Sequence, residues 1–304
     1  MTMAAPLKRI ARDIAPEPLL TLWGRWYGAK KIARAVDALA AAGPTCQPRY
    51  LPASALDELM AAGYREPAPV RYDEEGLALR AADKIEQLAA AVPLSGVART
   101  LELGCWDGMV AAALARRGAA AFALDITDAG FEPRAAGLGA RFLRSDAGAI
   151  PLTAASIDLV YSFASLEHFP RPDHCLDEIA RVLKPGGRAV LTFGPLYLSP
   201  YGRHAYRQIP IPFCHVLFRE DDLHDWAGRH GLAHDWPYVN GWTLAQYRAL
   251  LNATPGLRVM SYQEHGTGGV GVELIADHPE CFAAHATAID EFLVTTIDVV
   301  LQKI

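Results

Sequence analysis

The stretch Leu101-Glu102-Leu103-Gly104-Cys105-Trp106-Asp107-Gly108 decides the reading of the whole chain. Ala98 to Leu103 is a short apolar run interrupted by Thr100 and Glu102, the pattern of a strand. Met109 to Arg117 is rich in Ala and Leu at helical spacing and stops at Gly118. Between the two, Gly104 permits a sharp turn and lets a ligand press against bare backbone. The helix that follows opens with unpaired N–H groups and the positive end of its dipole, which suits a carboxylate or a phosphate. A dinucleotide fingerprint would read G-x-G-x-x-G. Here Gly104 and Gly108 are present with Trp106 between them, so that fingerprint is not met.

Working outward, strands and helices alternate from Arg99 onward, which implies a parallel sheet with helices on both faces. Ala120 to Ile126 reads as a second strand carrying Asp125 at its end. Arg141 to Ser145 reads as a third, followed by Asp146. Ile157 to Phe163 is a nearly continuous apolar run and reads as a fourth. Pro172 to Leu183 reads as a helix stopped by Lys184-Pro185-Gly186-Gly187, and Arg188 to Phe193 as the fifth strand. Asp221 to His230, with Asp221 or Asp222 as N-cap, and Thr243 to Asn252 read as helices. Leu257 to Gln263 and Val294 to Gln302 read as the last two strands.

The first 95 residues read as a helical region. Glu17 to Ala42 predicts a helix bearing Trp23, Trp26 and Tyr27 and ending at Gly43-Pro44. Its aromatic and basic residues suit an interfacial membrane helix or, more plainly, a helix packed on the rest of the protein. Pro44 to Pro52 reads as a linker and Ser54 to Ala62 as a short helix with Ser54 as N-cap. Pro67 to Tyr72 reads as extended, and Asp73 to Val92 as a helix with Leu77, Ile85 and Leu88 on one stripe. The expected organisation is a helical cap over residues 1–95, and a ligand-binding domain over 96–304 with a lid insertion at about 194–256.

The stretch at 101–108 resembles the first motif of the class I S-adenosylmethionine (SAM)-dependent methyltransferases, specifically the small-molecule type: an acid, an apolar residue, then a glycine-rich turn. Glu102, Gly104 and Gly108 fit; Trp106 stands where the family usually has a second glycine, and would crowd or stack over the methionine end of SAM. Three further elements follow at matching spacing: Asp125; Ser145-Asp146-Ala147; and Ile157-Asp158-Leu159-Val160 leading into Leu166-Glu167-His168. The turn Leu183-Lys184-Pro185-Gly186-Gly187 precedes the fifth strand. The resemblance covers roughly residues 98–193 well and 257–302 loosely. It implies an α/β, Rossmann-like, seven-stranded, mostly parallel sheet in the order 3-2-1-4-5-7-6. It also implies SAM as cofactor, with Asp125 on the ribose hydroxyls and Asp146 and Ala147 on the adenine. Carried over in this way, the cofactor-binding set is Glu102, Gly104, Cys105, Trp106, Gly108, Asp125, Ile126, Asp146, Ala147, Phe163 and His168. A nicotinamide enzyme needs the same acid at the second strand, so Asp125 by itself does not discriminate.

Composition narrows the function classes. The 304 residues are 51% hydrophobic with a net charge of −5, which gives no broad attraction to nucleic acid. The five cysteines are scattered without metal or redox spacing, which fits a reducing cytoplasm. Lys8, Arg9, Arg12 and Asp13 interrupt any signal-peptide core, and no apolar run approaches the roughly 20 residues needed to span a bilayer. Oligomeric state is left open.

SAM brings its own leaving group, so the protein's task is to align an acceptor with the methyl and exclude water. His168 is the first candidate base, with shaping of the active-site loop as the other reading of the same residue. Gly194 to Phe218 is rich in Tyr, His and Pro without periodicity and reads as a substrate lid, with His204 and Tyr201 as its candidate catalytic residues. Eight of the ten histidines lie after residue 200, yet none forms a ligand-spaced pair on one helix, so no metal is expected. The leading function is methyl transfer to an oxygen or nitrogen of a small molecule of natural-product, sugar or carboxylate type. Two alternatives remain: an enzyme of the same fold that cyclises or cleaves SAM and releases methylthioadenosine, and a catalytically silent subunit.

Overall fold

The computed structural model describes residues 17–64 and 71–304, with side chains from Gly28 onward. Its centre is a sheet of seven strands: β1 (Arg99–Leu103), β2 (Ala120–Asp125), β3 (Arg141–Arg144), β4 (Ile157–Phe163), β5 (Leu183–Phe193), β6 (Leu257–Gly266) and β7 (Val294–Lys303). They lie in the order β3-β2-β1-β4-β5-β7-β6. β1 to β5 pair in parallel, and β7 runs antiparallel to both β5 and β6. This is the sheet that the resemblance implied. Both faces are covered, which is why β4 reads as a nearly unbroken apolar run and why even Thr100 and Glu102 of β1 are buried.

Two layers of core flank the sheet. On one face Leu101, Leu103, Val160 and Leu191 pack against Leu176 and Ile179 of the helix Pro172–Val182. On the other, Ala121, Leu159, Tyr161 and Val190 pack against Ile85 and Leu88 of the helix Glu74–Ala91. Burying one such Leu or Ile contributes about 1.5–3 kcal/mol. A third cluster joins Ala35, Leu39 and Leu56 to Leu198, Phe213, Phe218, Phe282 and Phe292. The first long helix, Glu17–Ala42, is therefore fixed against the segment after β5 and the short helix Val272–Asp277. Lys31–Glu273 at 3.0 Å and Arg34–Asp277 at 2.6 Å tie the two helices at their surface. Trp23, Trp26 and Tyr27 lie outside the residues whose side chains are described.

The local chemistry departs from expectation in several places. β5 starts at Leu183, which pairs with Ile157 before the register shifts to Leu159 opposite Arg188; Gly186 between them has φ +79°, so Lys184-Pro185-Gly186-Gly187 turns ahead of the main ladder, as read from the sequence, although it falls within the bounds of the strand. The helix Ala55–Ala61 has no side-chain cap from Ser54, whose backbone is already helical. The helix Glu220–Arg229 is preceded by Arg219, not capped by Asp221 or Asp222, which lie in its first turn and favour its positive end instead. The Leu244–Ala253 helix does carry a capping box from Thr243 and Gln246. Glu291 adds to it, accepting from the Leu244 and Ala245 N–H groups at 2.7 and 2.9 Å.

Candidate functional site

The carboxyl ends of the parallel strands meet at the turn after β1. Gly104 has φ +67°, and a Cβ built there would lie 2.4 Å from Ser165 Oγ, so both conformation and space require glycine. The Gly104 and Cys105 N–H groups donate to the Leu124 carbonyl at 2.9 and 3.1 Å. Trp106 sits at φ +44°, an unusual place for a bulky residue. Its indole is 49% exposed and lies on Gly130, where any Cβ would strike the ring. Asp107 opens the next helix by accepting from the Met109 N–H at 2.9 Å and pairs with Arg80 at 2.8 Å. Cys105 is buried and its thiol is held protonated, first by burial and then by the Glu102 charge, so it is packing rather than a nucleophile.

Glu102 is turned beneath this turn, accepting from the Ala111 N–H at 3.1 Å. Burial, and next the charge of Asp107, hold its carboxyl well above the usual range. Asp125 stays partly exposed and accepts from the Trp106 and Thr127 N–H groups at 3.0 and 3.2 Å. Beside it Ile126 is 65% exposed, which makes an apolar platform at the strand end. Asp146 is exposed and accepts from the Gly148 N–H at 2.6 Å, while Ala147 is buried. Phe163 at the end of β4 carries the Lys84 ammonium 4.7 Å from its ring centre. Asp125 and Asp146 each keep carboxylate lone pairs that can accept from hydroxyl or amino donors, and Ile126 adds exposed apolar surface beside Asp125.

The turn after β4 builds a second half of the site. Leu166–His168 is one 3-10 turn. Asn240 clamps it: its N–H donates to the Glu167 carbonyl at 2.9 Å, and its amide donates to the Leu166 and Phe169 carbonyls at 3.0 Å each. Glu167 is buried, and neither carboxylate oxygen makes a hydrogen bond. The N–H groups of Glu167 and Gly194 lie near enough to favour its charged form but not in bonding geometry, and burial pushes the carboxyl up to about 8. His168 donates Nδ1–H to the Tyr238 carbonyl, and burial lowers its pKa. His204 reaches in from the lid and meets His168 edge to face, ring centres 4.8 Å apart. Its Nε2 lies 3.3 Å from the Pro195 carbonyl. Burial first, and then the neighbouring His168, hold its pKa down at about 4. Tyr206 stands 6.4 Å from His204, and Tyr201 5.9 Å from Tyr206.

The structure thus brings His168 and His204 together and sets Tyr201 one ring further away. His215, also in the lid, is buried in the third core cluster region and donates to the Tyr197 carbonyl. His224 sits on Glu220 at 3.1 Å and against the Trp236 ring. Sequence reading passed over Glu167 as a site residue and Asn240 altogether. Glu167 had a signal, an acid adjacent to a candidate histidine; Asn240 had none, since its role exists only when the chain returns to β4.

With this geometry in place, comparison with known proteins is direct. Residues 101–191 match the methyltransferase domain family. An uncharacterized methyltransferase of Mycobacterium ulcerans (strain Agy99) is 30% identical over 248 residues, covering 79% of this chain and 90% of the relative. Another from Mycobacterium sp. (strain JLS) is 34% identical over 122 residues, covering 38% of this chain and 46% of that one. A crystal structure of an S-adenosylmethionine dependent methyltransferase from Mesorhizobium loti is 21% identical with a TM-score of 0.46, covering 72% of this chain and 96% of that chain. The chain belongs to the class I SAM-dependent methyltransferases. No helix among the described residues is long and apolar enough to cross a membrane.

Proposed function

We propose that this enzyme transfers the methyl group of SAM to an oxygen or nitrogen atom of a small molecule held beneath the lid. When bound, SAM supplies a methyl group on a sulfonium, which leaves without help from an acid. Asp125 and Asp146 accept from its nucleoside hydroxyls and amino group, Ile126 and Phe163 supply apolar surface, and Gly104 and Gly108 keep the turn open to its methionine end. Trp106 lies along the rim of that turn.

The observation that carries the acceptor side is the meeting of His168 and His204, one from the sheet and one from the lid, with ring centres 4.8 Å apart. Each has a carbonyl on one ring nitrogen, which fixes a proton there and leaves a lone pair on the other. Those lone pairs hold and orient an acceptor's O–H or N–H, with Tyr201 at the margin. We assign the helix Glu17–Ala42 and the 194–256 segment to the roof over this pocket, and the remainder of 96–304 to SAM binding; the helix Glu74–Ala91 covers a face of the sheet instead.

Incubation with methyl-labelled SAM and a metabolite extract, followed by mass spectrometry, tests the reading. A labelled small molecule together with S-adenosylhomocysteine supports it. Methylthioadenosine without a labelled acceptor would establish the alternative in which SAM itself is cyclised or cleaved.

A further inference from the structure

Glu167, His168 and His204 each place one ligand atom within 4.8 Å of the other two. The polarity of these atoms is unusual. The Tyr238 carbonyl can only accept, so His168 Nδ1 carries the proton and Nε2 the lone pair. The Pro195 carbonyl does the same to His204 Nε2, which leaves its lone pair on Nδ1. Glu167 is 1% exposed, and both its oxygens lack hydrogen-bond partners. His168 Nε2 stands 3.9 Å from Glu167 Oε1, too far for a hydrogen bond. Once its proton is released, the Glu167 carboxylate joins the two imidazoles as a third electron-pair donor, and it is gathered with them without a hydrogen bond of its own, although buried polar atoms are normally paired.

A cation resolves this arrangement. Histidines that bind metals usually give their other ring N–H to a backbone carbonyl or carboxylate, as both histidines do here. Two imidazoles and one carboxylate suit a first-row divalent ion such as Zn²⁺, Co²⁺ or Fe²⁺ rather than Ca²⁺ or Mg²⁺. Bond lengths of about 2.0–2.2 Å require each ligand atom to move inward by roughly 1 Å, within reach of side-chain rotation.

We propose that Glu167, His168 and His204 form a divalent transition-metal site at the junction of the β4 turn and the lid. Sequence spacing pointed away from a metal because the three ligands come from two segments that meet only in the fold. The site itself stands on these donors; its use in catalysis rests on the reading that the acceptor lies beneath the lid. With the ion bound, the histidine lone pairs would go to it rather than to the acceptor directly, and its open positions would hold an acceptor's anionic oxygen.

The full chain, stripped with a chelator, is titrated with Co²⁺ and Zn²⁺ alone, following the visible Co²⁺ bands and the heat of Zn²⁺ binding. One equivalent should bind with low-micromolar or tighter affinity and give bands of a four- or five-coordinate ion. His204→Asn and Glu167→Gln should each weaken binding at least tenfold, whereas His265→Asn, a surface histidine on the far strand pair, should not. His204→Asn lies on the lid, so it reports even if Glu167→Gln fails to fold. Octahedral Co²⁺ bands, no binding, or binding unaffected by His204→Asn would overturn the site. Methyl transfer by metal-free enzyme at full rate would overturn its catalytic use and leave the methyltransferase reading intact.

Discussion

The rings of His168 and His204 meet edge to face with their centres 4.8 Å apart, although one belongs to the turn after β4 and the other to the lid. If this pair holds the acceptor, His168→Ala and His204→Ala should lower kcat by about 10²–10⁴-fold. Binding of S-adenosylhomocysteine should stay within a few-fold, because Asp125, Ile126 and Asp146 are untouched. Steady-state kinetics with calorimetry on each variant checks this. Rates within a few-fold of the parent for both variants would remove the pair from the reaction.

Asn240 positions that turn without facing the pocket. Two of its three hydrogen bonds to the Leu166–Phe169 backbone come from the side-chain amide, and each contributes roughly 0.5–1.5 kcal/mol. Asn240→Ala should therefore cost about 1–3 kcal/mol of stability and lower kcat tenfold or more, with little change in S-adenosylhomocysteine affinity. Thermal unfolding together with kinetics separates this from a merely structural role, in which activity would fall only in proportion to unfolded protein.

Acid stability follows from His215. Burial holds its imidazole at about 4 in the folded chain, against an ordinary value of 6.5. Below 6.5 the unfolded chain takes up a proton that the native protein refuses until near 4. Stability from this residue is complete above 6.5, falls as the pH drops to about 4, and stays level below that. The loss is about 3 kcal/mol, at roughly 1.36 kcal/mol per unit between the two values. His215→Gln should flatten this part of the denaturation curve between pH 6.5 and 4; an identical slope in parent and variant would contradict the assignment.

Much of the sheet was legible because its strands are buried on both faces and read as apolar runs ended by acids. Glu102, Asp125 and Asp146 mark those ends, and the order of motifs carried the topology. The lid was legible only as a segment without periodicity. Its helix Cys214–Leu217, and the helices Pro133–Gly137, Val272–Asp277, Pro279–Phe282 and Asp290–Leu293, are too short to show a helical repeat. Tertiary packing holds the last of these, with Phe292 fully buried against Phe213 and Phe282. The pairing of His168 with His204, and the clamp from Asn240, depend on where loops return in space, which no local pattern encodes.

Asp125 offers the most direct test of the site as a whole. Its carboxylate is backbone-anchored and open to a ligand beside an exposed Ile126. Charge-assisted hydrogen bonds of this kind are worth about 1.5–3 kcal/mol each. Calorimetry should show S-adenosylhomocysteine binding to the parent in the low micromolar range, with NAD silent, and Asp125→Ala at least tenfold weaker. Unchanged affinity in Asp125→Ala, or a clear NAD signal with S-adenosylhomocysteine silent, would contradict it.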